Sequence, residues 1–203
     1  MQEFLAKFDF YKKNLYNVKM DYLQMFNSIF PKSIYIHIPD YLVFKCYIFA
    51  MQAAGIKPNE PHHWNDDGEE FKRNFHGKLG ECAVIIYLGL PISMISFEVG
   101  PDSKIFDYAD LHKAGYWAGI KSVEYMKLPL IYKKPREPQV IVTISAKYKD
   151  KTLIHGIATV ENQLKNQDDN LIVSPKVKAA GKKTAFTGLL FLESMDTLNK
   201  YKI

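Results

Sequence analysis

Two acids and a lysine stand out by type and spacing. Glu81 is the one charged residue in the run 79–90, LGECAVIIYLGL. Asp110 follows in Ala109-Asp110-Leu111, and Lys121 sits in Gly119-Ile120-Lys121-Ser122. Two carboxylates with a backbone carbonyl between them can hold a hard divalent cation such as Mg²⁺, with waters completing its shell. A cation held this way lowers the pKa of a bound water and neutralises charge building on a scissile phosphate. A neighbouring lysine stabilises that charge or orients the attacking water.

For Asp110 and Lys121 to cooperate, the chain must turn between them. Segments 105–112 and 116–125 read as two strands around Ala114-Gly115. A turn centred there pairs Asp110 with Gly119 and Lys121 with Tyr108. Side chains recur on one face every second residue, so Asp110, Gly119 and Lys121 share a face, while Asp107 and Ser122 share the other. A one-residue slip would undo the arrangement. Glu81 is expected on a helix from about 69 to 88, ended by Gly89 and Pro91 and apolar on nearly every side. A carboxylate there needs a metal, a lysine (Lys78 or Lys121) or a helix edge that reaches solvent.

The remaining pattern supplies the frame. Residues 3–30 repeat apolar positions at helical spacing up to Pro31, 33–38 (SIYIHI) suits a short strand, and 41–54 suits a helix stopped by Gly55. The polar stretch 57–70 reads as a loop. Beyond Pro91, strands are expected at 92–99, at 139–146 paired with 151–160 around Lys149-Asp150, and at 171–173. Residues 186–192 and the last residues suit either strand or helix. Helices first and a mixed sheet after them give an α/β or α+β fold, with a helical N-terminal portion over 1–60 and an α/β core over 61–203.

Length and composition bound the function. The chain has 203 residues, 47% apolar and 24% charged, which is ordinary for one substantial domain. Residues 1–110 hold 11 Lys/Arg against 14 Asp/Glu, and 111–203 hold 16 against 8. A basic second half suits a phosphate-bearing partner as well as it suits a solvated surface. Cys46 and Cys82, each in an apolar run, argue against a disulfide framework. The early charges Glu3, Lys7 and Asp9 do not fit a signal peptide. The longest membrane candidate, 41–50, is too short and contains Lys45, so a cytoplasmic setting without a membrane is expected.

Gly80-Glu81 in a helix, Pro101-Asp102 with Asp110 ending a strand, then Gly119-Ile120-Lys121-Ser122 on the next strand, together resemble the PD-(D/E)XK nuclease superfamily. That superfamily includes many restriction and bacteriophage endonucleases. The resemblance covers about residues 75–160 and implies a restriction-endonuclease-like mixed central sheet flanked by helices. It implies an Mg²⁺- or Mn²⁺-dependent endonuclease acting on DNA, double-stranded by preference, and working as a homodimer. Carried over by position, Glu81 and Asp110 match as metal ligands, the Ile120 carbonyl matches as a third, and Lys121 matches as the catalytic lysine. Pro101-Asp102 offers a second reading of the motif's first acid, at a longer spacing.

Gly119 stands where the motif has Asp or Glu. Either Glu81 takes over the missing carboxylate, or Glu124 or Asp107 supplies it from a shifted position, although strand parity turns Glu124 to the wrong face. Otherwise the scaffold binds nucleic acid without cutting it. Lys133, Lys134 and Arg136 form one basic cluster, and Lys176, Lys178, Lys182 and Lys183 another around Gly181, while Lys78 lies a turn before Glu81. All are candidates for phosphate contact. Gly181-Lys182-Lys183-Thr184 lacks the earlier glycine of a phosphate loop, since Lys176 stands there. His62-His63-Trp64 is better suited to a DNA-touching loop than to a metal site, because adjacent histidines point apart.

Overall fold

The computed structural model describes residues 28–29, 32–56, 70–99, 109–125, 127–145, 151–172 and 174–203. The expected helices over 3–30, the loop 57–70 with its histidine pair, and the strand before Asp110 (Asp102, Asp107 and Tyr108 with it) lie wholly or almost wholly outside these residues.

The first strand, β1 (Ile34–His37), leads into helix α1 (Asp40–Ile56). Asp40 lies in the first turn, where the exposed N–H groups favour negative charge. Leu42, Cys46, Ala50 and Ala53 bury one stripe of α1, which packs on α2 (Glu70–Tyr87). There the buried thiols of Cys46 and Cys82 lie 3.6 Å apart as free cysteines. Leu90 N–H bonds back to the Ile85 carbonyl and closes α2 before Pro91.

The principal sheet has the order β1-β5-β4-β2, with β2 at Gly119–Glu124, β4 at Gln139–Ile144 and β5 at Lys151–Ala158. The expected pairing of 139–146 with 151–160 is present as the antiparallel β4–β5 ladder. The strand β2 runs parallel to β4, Gly119 opposite Gln139 and Lys121 opposite Ile141. A parallel pair cannot be joined by a tight hairpin. The connection is a detour through β3 (Leu130–Tyr132), which belongs to a second, three-stranded sheet of order β3-β7-β6. That sheet also contains β6 (Gln167–Asp168) and β7 (Lys183–Phe186), with short helices α3 (Val160–Lys165) and α4 (Pro175–Ala180) between the main strands. The fold is therefore mixed α+β, a mixed sheet flanked by helices.

Two apolar clusters straddle the principal sheet. Val140, Val142 and Ile144 pack with Leu79, Cys82 and Ala83 of α2. Ile141 and Ala158 pack the other way, with Ile131, Phe186 and Leu189. The described part of the N-terminal portion shares the first core, since β1 pairs with β5 and α1 packs on α2.

Several expected strands take other forms. Residues 92–94 make one tight helical turn, and so do 169–171 where a strand at 171–173 was expected. Residues 186–192 divide between the end of β7 and a helical turn at 188–191, and 195–201 are helical. The helix expected to stop at Gly55 runs one residue past it.

Candidate active site

Asp110 does not end a strand. It stands in a turn, followed by a short helical turn at His112–Ala114 and a left-handed Gly115. The expected register survives in one bond, Leu111 N–H to the Ala118 carbonyl at 3.0 Å. The expected strand over 116–125 begins only at Gly119, and Tyr116 bridges to Lys202 instead. Strand parity therefore does not aim Asp110. A hydrogen bond does: Ile120 N–H donates to Asp110 Oδ2 at 2.6 Å.

That bond fixes which way Ile120 faces. Gly119 N–H donates to the Pro138 carbonyl at 2.9 Å, so alternate residues Gly119 and Lys121 turn their backbone groups to β4. Ile120 turns its N–H and carbonyl to the other edge. Among the described residues no strand pairs there.

The helix reaches the same edge from the opposite face. Gly80 presses on β2 so closely that a Cβ at this position would overlap Ser122 Oγ and meet Ile120 at 3.4 Å. Glu81, the next residue, accepts a hydrogen bond from Lys78 Nζ at 2.6 Å. Lys78 also lies 4.7 Å from the centre of the Phe49 ring, and its side chain is only 12% exposed. It is committed to Glu81. Burial raises the Glu81 carboxyl to about 7; Lys78 opposes the shift and the negative charge of Asp110 adds to it. Burial likewise raises Asp110, against the Ile120 N–H, Lys121 and Lys78. Asp110 is nonetheless exposed at the surface, so water reaches it from one side.

Strand parity turns Ile120, Ser122 and Glu124 toward α2, and Gly119 and Lys121 away from it. Glu124 bonds Lys72 of α2 at 2.8 Å and Lys127 at 2.7 Å. Those two lysines hold its carboxyl down at about 2 despite partial burial. It is a structural acid on the helix face and does not replace the acid missing from position 119.

The residue that sequence reasoning missed is Glu137. Parallel pairing of β2 with β4 sets the segment before β4 beside Gly119, and a Cβ on Gly119 would lie 2.5 Å from both Glu137 Oε1 and Gln139 Nε2. These two side chains, joined by a 3.1 Å hydrogen bond, fill the space that a side chain at 119 would take. Buried Gln163 anchors the backbone below them, donating to the Glu137 carbonyl at 2.9 Å. Burial raises the Glu137 carboxyl, Asp110 raises it further, and Gln139 and Lys121 oppose. The available signal was Pro135-Arg136-Glu137-Pro138, an acid braced by two prolines before an apolar strand.

Lys121 borders two clefts. One, of about 490 Å³, is lined by Lys121, Glu137 and Gln139 with Lys134, Arg136, Trp117 and Tyr132. The other, of about 320 Å³, is bordered by Lys72, Arg73, Lys121, Lys127 and Lys183. Lys133 pairs with Asp169. Lys176, Lys178 and Lys182 are exposed on α4 and the turn after it.

Among the described residues no three His, Cys, Asp or Glu side chains are grouped closely enough to hold an ion. A donor set for Mg²⁺ here would therefore have to be mixed. The negative charge of Asp110 raises the Glu81 and Glu137 carboxyls, and with a strand carbonyl on an edge that is unpaired among the described residues these are hard oxygen donors in a place that favours added positive charge. No protein-family model, curated protein or solved structure matches the chain.

Proposed function

We propose that the chain is a metal-dependent DNA endonuclease with a restriction-endonuclease-like fold, hydrolysing phosphodiester bonds. The observation that carries this reading is the convergence at one end of β2. Asp110 is tied to Ile120, Lys121 acts electrostatically on Asp110, and a cleft beside them carries Lys134 and Arg136.

Glu81, Asp110 and the Ile120 carbonyl would hold the cation. Mg²⁺ bound there supplies a Lewis acid that lowers the pKa of water and offsets phosphate charge. Lys121 borders both clefts, where its ammonium would stabilise negative charge on an entering phosphate. Lys134 and Arg136 grip the backbone, and the exposed Trp117 and Tyr132 offer stacking faces. Lys176, Lys178, Lys182 and Lys183 extend the basic surface, whereas Lys78 and Lys133 are occupied by Glu81 and Asp169. A homodimer belongs to the same reading, since cutting both strands takes two sites. Among the described residues no helix is long and apolar enough to cross a membrane.

A second reading, a nucleic-acid-binding module that does not cut, draws on Gly119 and on the Lys78–Glu81 pair. Plasmid nicking in Mg²⁺ or Mn²⁺ separates the two. Wild type nicks, and Asp110→Ala and Lys121→Ala each lose about a hundredfold or more. Salt-sensitive DNA binding without nicking in either metal supports the second reading. Nicking unchanged by both substitutions overturns the site assignment.

A further inference from the structure

The Glu137 carboxylate occupies space that Gly119 leaves open. A glycine in a buried strand position contributes no packing and weakens the strand, so its presence asks for a steric reason. The reason here is that another residue's carboxylate occupies the space. Glu137 Oε1 lies 2.5 Å from where the Cβ of residue 119 would be, and Gln139 Nε2, its hydrogen-bond partner, lies beside it at the same distance. An Asp or Glu on Gly119 would turn the flexible ends of both side chains out of this volume.

We infer that Glu137 is the missing acid of the site, supplied from the segment before β4 to the volume that a strand carboxylate at 119 would fill, where it joins Asp110 in holding the divalent cation. This rests on the nuclease reading above and gives the second carboxylate of the site to Glu137 in place of Glu81, which Lys78 holds on the helix face.

Three observations support it. Glu137 and Asp110 repel each other, and Lys121 attracts both, so the three charges share one neighbourhood. Glu137 borders the cleft that carries Lys121, Lys134 and Arg136, where a phosphate backbone would lie. Its position is also fixed from behind. Gln163 spans the Glu137 and Ala158 carbonyls at 2.9 and 3.0 Å, and Pro138 accepts the Gly119 N–H. Gln163 is thus a positioning residue. Glu81 remains on the helix face with Lys78, and Asp110 at the strand edge is the member that interacts with both acids.

The test uses the full chain, with Mn²⁺ alone as probe in calorimetric titration and Mg²⁺-dependent plasmid nicking as a separate readout. Glu137→Gln keeps the shape and the hydrogen bond from Gln139 while removing the charge. It is expected to weaken Mn²⁺ binding by at least about tenfold and nicking by about a hundredfold, with an unchanged thermal melt. Glu137→Ala combined with Gly119→Asp returns a carboxylate to the vacated space and is expected to regain Mn²⁺ affinity over Glu137→Ala alone. Wild-type Mn²⁺ affinity in Glu137→Gln, with Asp110→Asn binding none, overturns the inference and leaves the nuclease reading standing. So does a loss that the returned carboxylate fails to restore, since that marks a structural role. A wild type that neither binds Mn²⁺ nor nicks overturns the nuclease reading and this inference with it.

Discussion

The two faces of β2 handle charge in opposite ways. Toward α2, each acid has its own cation: Glu124 lies between Lys72 and Lys127, and Glu81 accepts from Lys78. Away from α2, Glu137 has a neutral amide for a partner and another carboxylate, Asp110, for a neighbour. The same residue type is held at about 2 in Glu124 and pushed upward in Glu137. An acid with two lysines at hydrogen-bond distance gains from being charged and stabilises the fold. An acid crowded against another acid is held at a cost, a pattern that clusters at functional sites. Glu81 combines the two, since its lysine does not outweigh its burial.

The comparison can be sharpened by pH, because the two faces titrate in different windows. The largest effect belongs to the face away from α2. His155 bonds Ser33 Oγ at 2.6 Å and Thr143 Oγ1 at 2.9 Å, and burial lowers it from 6.5 to about 4. The unfolded chain takes up a proton near 6.5 and the folded one resists until about 4. The contribution of His155 is therefore complete above 6.5 and falls as pH drops through that window, by up to about 3 kcal/mol. Glu81, raised by burial to about 7, gives a slope of opposite sign in the same window, so the His155 slope should appear in the difference in urea-unfolding stability between wild type and His155→Gln from pH 7 to 4. A slope that His155→Gln leaves intact assigns it to other groups.

The smaller effect belongs to the helix face. Glu124 is lowered, so its contribution is present above about 4.5 and disappears as pH falls toward 2. Glu124→Gln should cost about 1–2 kcal/mol at pH 7 and leave nicking per folded molecule unchanged. If nicking falls while stability holds, the division between structural and functional acids is wrong.

Legibility in the sequence followed the range of the interactions. Alternation and β-branched content announced β1, β4, β5 and their antiparallel pair, and helical period with Gly89 and Pro91 bounded α2. Short apolar runs at 92–99 and 171–173 carry no period that separates strand from turn, and single helical turns at 92–94 and 169–171 stand where strands were expected. Glu81, Asp110 and Lys121 were readable as types, and Lys78 as a partner of Glu81. The aim of Asp110 was not, because a hydrogen bond to Ile120 sets it and strand alternation does not. Glu137 was hidden for a different reason. It reaches Gly119 only through the parallel β2–β4 pairing, and no local pattern in 119–139 encodes a parallel partner. The glycine looked like a defect because its neighbour across the sheet was unknown.

The facing thiols of Cys46 and Cys82 also bear on how the site holds together. Their mutual hydrogen bond and burial push Cys82 far above the ordinary thiol range, so it offers no thiolate, and both sulfurs are buried from reagents while α1 and α2 stay packed. Modification must wait for the helices to part, which makes its rate a clock for that opening. Cys82 is next to Glu81 in the chain, so the clock times how often the site's helix lets go of its support.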